Sequence, residues 1–189
     1  MRYFSLIILL AALIPSLQGC FPVIAVGAGA GILMAEDRRT SGTIVEDKGI
    51  EIKASNRIDE QFKSNARIGV SSYNRNVLLT GQATTEELKQ EAETITRSVP
   101  NVRNVTNEIS IGAPNALSTR SNDAYITSKV KARFVDANKF QINHVKVTTE
   151  SGVVYLLGLV KHQEADDATE IARSTAGVQK VVKIFEYLD

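Results

Sequence analysis

The side chains in this 189-residue chain with the most chemical reach are one thiol, Cys20, two imidazoles, His144 and His162, and two carboxylate pairs, Glu86-Glu87 and Asp166-Asp167. Neither histidine stands at a zinc-ligand spacing, and both are expected in solvated or capping roles. Carboxylate pairs can act as acid and base, but no nucleophile accompanies these two. They read as solvated helix faces or complements to a helix dipole. Gly27-Ala28-Gly29-Ala30-Gly31 follows no strand and lacks the G-x-G-x-x-G spacing of a nucleotide loop. No catalytic site, metal or cofactor is expected, and an enzyme is not. The remaining chemistry belongs to Cys20. It closes an N-terminal segment with one positive charge at Arg2 and an apolar run over residues 3–15, followed by small residues. That run is too short to span a bilayer comfortably, so residues 1–19 read as a secretion signal.

Leu17-Gln18-Gly19-Cys20 resembles the lipobox of bacterial lipoproteins. The resemblance implies cleavage before Cys20, acylation of its thiol, and a mature chain tethered to a membrane by lipid. An ordinary signal peptide with an incidental cysteine is the alternative, and it would leave a free thiol in an oxidising compartment. Phe21 stands where an aspartate would suggest retention at the inner membrane. Residues 20–45 are expected to form the acylated N-terminus and tether. Loss of residues 1–19, whose only charge is Arg2, leaves 21 basic side chains against 21 acidic ones. That balance argues against nucleic acid, which requires a basic excess to replace phosphate counterions.

The rest of the chain repeats. Asp47, Ile50, Ala54 and Ile58 match Asp123, Ile126, Val130 and Phe134 at an offset of 76. Ile68, Val70 and Gly81 match Val145, Val147 and Gly158 at 77; Ala92, Ile95, Arg97, Val102 and Val105 return to 76. The period exceeds that of solenoid repeats, so two tandem domains with separate small cores are expected. Apolar positions four apart predict a first helix in each, with Asp47 and Asp123 as an acidic cap or first turn. Alternating Ile68-Gly69-Val70 and Val145-Lys146-Val147 open hairpins turning at Asn74-Arg75-Asn76 and Glu150-Ser151-Gly152. Second helices over 84–98 and 161–176 and final strands over 102–110 and 178–188 complete an α-β-β-α-β order. Gly81 and Gly158 are expected to allow close backbone approach or a positive φ. Residues 112–121, with Pro114 and small polar side chains, read as the linker between domains at 46–111 and 122–189.

This order, with a glycine closing the second strand and a V-x-x-V pair opening the last, resembles the BON domain. It is strongest at Ser121-Asn122-Asp123, Lys146-Val147-Thr148-Thr149-Glu150 and Leu157-Gly158-Leu159-Val160. Two such domains behind a lipobox are similar to the dual-BON outer-membrane lipoproteins of Gram-negative bacteria. The resemblance implies an α+β fold, two helices on a small three-stranded mixed sheet in each domain. It also implies a lipid-anchored, periplasm-facing place at the outer membrane, binding of anionic phospholipid such as phosphatidylglycerol mainly by the second domain, and support of membrane integrity, including at division sites.

The residues of the second domain's first helix point to the same surface. At about 100° per residue, Ile126, Val130 and Phe134 form the core stripe. Tyr125, Ser128, Ala132 and Val135 fall on the opposite side, flanked by Lys129 and Lys131, with Arg133 nearer the core boundary. Apolar groups and a tyrosine among basic side chains suit shallow insertion beneath anionic headgroups. The competing expectation is that Tyr125 and Val135 pack against the other domain. In the first domain's helix, the outward positions are Ile52, Lys53, Asn56, Asp59 and Lys63, of which only Ile52 is apolar. That copy is expected to brace the second or to meet a protein. A protein-binding adaptor for envelope-assembly machinery is the alternative function.

Overall fold

A computed structural model describes residues 37–63 and 65–189, within one compact unit spanning Met34–Asp189. The expected signal segment and cleavage site, Cys20 and most of the expected tether lie outside the described residues. The first domain runs α1 (Ser41–Phe62), β1 (Ala66–Tyr73), β2 (Asn76–Ala83), α2 (Glu86–Arg97), β3 (Asn104–Asn107) and β4 (Ser110–Ile111). The second runs α3 (Leu117–Ala137), a 3-10 turn (Ile142–His144), β5 (Val145–Glu150), β6 (Val153–Val160), α4 (His162–Arg173) and β7 (Lys180–Tyr187). In each sheet a hairpin pairs antiparallel, and the central strand takes its last partner in parallel. The expected third strand of the first domain is divided. β3 and β4 both pair β2, and between them Asn107 Oδ1 accepts from the backbone N–H of Ile109, whose side chain turns into the core.

Asp47 and Asp123 differ from the expected helix caps. Both are buried in the body of their helices, facing the hairpin turn. Asp123 accepts from the backbone N–H groups of Ser151 and Gly152 at 2.9 and 2.8 Å. Asp47 accepts from those of Asn74 and Arg75 at 2.8 and 2.7 Å, and from the Ser72 hydroxyl at 2.6 Å. Both turns carry positive φ at their two central residues, the geometry of a tight two-residue hairpin. The buried carboxylate thus ties each first helix to its hairpin. Gly81 has φ +106°, and a Cβ there would lie 2.1 Å from the Arg67 carbonyl oxygen. At Gly158 a Cβ would lie 2.5 Å from the carbonyl oxygen of His144, so close approach is the reason there.

Each domain has a core between its helices and one sheet face. A third cluster joins the domains. Tyr73 and Leu78 of the first pack with Tyr155 and Leu157 of the second, beside Val153, Leu159, Val182 and Ile184. The two sheets therefore stack by the faces their helices leave bare, giving four layers, helix-sheet-sheet-helix. Alternate residues of β6 serve different partners: Val154 and Leu156 meet the helices, Tyr155 and Leu157 the other sheet. Burial on both faces is why Val153–Val160 reads as a continuous apolar run. Each fully buried large side chain contributes roughly 1.5–3 kcal/mol. The two expected cores are present, and this third cluster between the domains adds to them.

Candidate lipid-facing helix

Helix α3 buries Ile126, Val130 and Phe134 against its sheet, and Phe134 meets Phe140 edge-on with ring centroids 5.0 Å apart. Its C-terminus stops at Asn138, in the left-handed region, whose N–H returns to the Phe134 carbonyl. Because the other domain packs on the sheet, the opposite side of α3 is open. Tyr125 is 62% exposed and Val135 59%, and Ser128 and Ala132 between them are exposed. The expectation that Tyr125 and Val135 are sealed against the first domain is corrected.

The helix starts earlier than its sequence suggests. Leu117 to Ser121, expected in the linker, form its first turns, and Leu117 is 68% exposed. At about 100° per residue Leu117 projects in the same direction as Val135 and extends the apolar stripe. Periodicity carried back from Val135 through Ser128, Ser121 and Leu117 is the signal that could have found it.

The basic residues divide. Lys129 places its ammonium 4.6 Å from the centre of the Tyr125 ring and donates to the Ala176 carbonyl. Arg133 donates to the Ile171 carbonyl at 3.1 Å and the Thr175 hydroxyl at 2.9 Å. Both satisfy backbone or hydroxyl oxygens where α4 ends, a position that favours cations. Arg57, which precedes Arg133 by the repeat offset, donates to Ser98 at the end of α2. Each copy thus ties an arginine of its first helix to the end of its second helix, through different acceptors. Lys131 is exposed and faces the space between the domains.

On α1 the outward face carries Val45, 71% exposed, as well as Ile52 at 50%. Val45 lies on the helix because α1 begins at Ser41, inside the stretch expected as tether. His144 is buried, against the expectation of a solvated or capping role, with Nδ1 3.7 Å from Glu164. His162 Nδ1 lies 2.8 Å from Asp189, and its ring stacks on Tyr187. Among the described residues no three His, Cys, Asp or Glu side chains are grouped to hold a metal ion. No described helix is long and apolar enough to cross a membrane.

The model of the BON domain matches residues 46–113 and 122–189. This chain belongs to the BON-domain family. It is 37% identical over 187 residues, 98% of this chain and 96% of the relative, to a Haemophilus influenzae protein named outer membrane lipoprotein DolP. A protein of Actinobacillus pleuropneumoniae named 21 kDa hemolysin is 36% identical over 80% of this chain and 79% of its own length. The osmotically-inducible protein Y of Escherichia coli is 28% identical over 74% of this chain and 72% of its own. The family matches divide the BON protein at residues 113 and 122, so the start of α3 precedes the second match.

Proposed function

We propose that this BON protein is a non-enzymatic envelope lipoprotein, anchored to the outer membrane through acylated Cys20, that recognises anionic phospholipid with the outward face of α3. Similarity to an outer membrane lipoprotein over nearly the whole chain supports the envelope setting. The observation that carries the lipid reading is the open side of α3, where Leu117, Tyr125 and Val135 stand exposed while Asp123, Ile126, Val130 and Phe134 on the other side are buried. Lys131 and Lys129 flank this stripe with positive charge. Each basic group near an anionic surface contributes roughly 1 kcal/mol, which gives weak and reversible docking. The lipid tether supplies the local concentration that makes such docking effective. The first domain, stacked through Tyr73 and Leu78, braces the second, and the whole supports membrane integrity, including at division sites.

The test is vesicle flotation with phosphatidylglycerol, using the mature chain with Cys20→Ser so that binding reports the protein surface. Tyr125→Asp with Val135→Asp should abolish flotation while circular dichroism stays unchanged. Undiminished flotation of that folded variant overturns the reading. Val45 and Ile52 on α1 favour a second reading, an adaptor whose first domain meets an envelope-assembly protein. Photo-crosslinking in cells from positions 125 and 56 separates the two. Lipid adducts at 125 support docking on the bilayer, and a single protein adduct at 56 supports the adaptor.

A further inference from the structure

A cleft of about 490 Å³ opens between the two domains, beside α1 and α3. Its wall is apolar, made by Ile44, the Tyr73 ring, Ile142 and Val145. Around that wall stand Arg39 and Lys48 from the first domain's side and Lys131 and Lys146 from the second's, against the carboxylates of Asp47 and Glu51.

Neither carboxylate offers an open charge. The Asp47 oxygens are taken by the hairpin turn, the Ser72 hydroxyl and the Arg39 guanidinium at 3.0 Å. Glu51 accepts from Lys146, from the Ser72 N–H at 3.0 Å and from Lys48 at 3.1 Å. The cations are less committed. The Lys48 side chain is 71% exposed, so its bond to Glu51 exchanges readily with another anion. Lys131 is exposed and takes part in none of the ion pairs among the described residues. Two exposed ammonium groups, one from each domain, thus border an apolar wall. The cleft volume lies within the usual range for small-molecule sites.

We infer that this cleft takes the phosphate and glycerol of an anionic glycerophospholipid, with Lys48 and Lys131 on the phosphate and the start of the acyl chains along Ile44 and Ile142. The inference rests on the reading that α3 docks on lipid, and Lys131 links the two by lining the cleft from the flank of that helix. It adds the first domain to recognition, through Lys48. Free phosphate shares the anion but lacks the apolar part that the wall would cover.

The experiment is a heteronuclear NMR titration of the full mature chain in non-ionic micelles, with short-chain phosphatidylglycerol in one arm and inorganic phosphate in the other. Short-chain phosphatidylglycerol should shift the Tyr73, Val145 and Lys146 amides saturably, and phosphate at the same concentration should not. Lys48→Glu should weaken that binding roughly tenfold, since it reverses one charge at the site. Tyr125→Asp with Val135→Asp should leave it intact while losing vesicle flotation, so failure of the cleft and failure of the helix face are read separately. Equal saturation by phosphate, or unchanged affinity in Lys48→Glu, overturns the inference.

Discussion

Asp123 accepts two backbone N–H groups at a turn whose residues both have positive φ, one of them the non-glycine Ser151. Left-handed backbone at a residue with a Cβ is unfavourable, and charge-assisted bonds from the turn offset that cost. Asp123→Ala removes both bonds and leaves a cavity beneath the helix. It should cost about 2 kcal/mol, read as a lower urea midpoint at unchanged slope. Asp123→Asn keeps one acceptor oxygen and should lose less. An alanine variant as stable as the parent would show that the turn holds itself. The repeat made both aspartates visible, but their place inside the helix was not. An acidic residue before an apolar stripe has the sequence signature of a cap, and only the fold shows that the turn it caps belongs to the hairpin.

At the scale of the element, α3 has two unlike sides, one packed on its sheet and one open. The periodicity of Ile126, Val130 and Phe134 made the core side legible, and Tyr125 and Val135 made the outward side so. Leu117 was hidden because Ser118, Thr119, Ser121 and Asn122 have the composition of a loop, since such side chains compete for backbone hydrogen bonds. In the fold these residues continue an established helix, and Ala116 begins it without a side-chain cap bond. The same continuation places Val45 on α1. If Leu117 enters the headgroup region with Tyr125 and Val135, Leu117→Asp should weaken flotation on phosphatidylglycerol vesicles about tenfold with little effect on stability, because Leu117 is 68% exposed. Flotation unchanged from the parent would confine the docking face to Tyr125 and the turns that follow it. Arg133→Ala, in contrast, should lower stability by freeing the end of α4, and should leave the vesicle affinity of the folded fraction intact.

The whole molecule is held by a shared apolar layer and by carboxylates that reach across it. The apolar run of β6 fits a strand buried on both faces, but its second partner lies in the other copy, which no local pattern identifies. Glu51 of α1 meets Lys146 of β5, and Glu164 of α4 receives both guanidinium nitrogens of Arg38, at 2.6 and 2.8 Å. Burial pushes both carboxyls upward, yet the bonds from Lys146 and Ser72, and from Arg38 and the Lys161 N–H, outweigh it and leave each below the ordinary 4.5. A carboxyl depressed in the folded state adds stability that is complete above the unfolded value and lost as pH falls through the folded one. The stacked domains should therefore hold constant stability at neutral pH and weaken progressively below 4.5, as the unfolded chain takes up protons first. Glu51→Gln removes one of these groups. Its Tm should fall below the parent's at neutral pH, and the gap should narrow as pH falls below 4.5 and the parent carboxylate is protonated as well. Thermal melts of both proteins across that series provide the check. A gap that stays the same at acid and neutral pH would assign the loss to packing at position 51 rather than to the charge that bridges the domains.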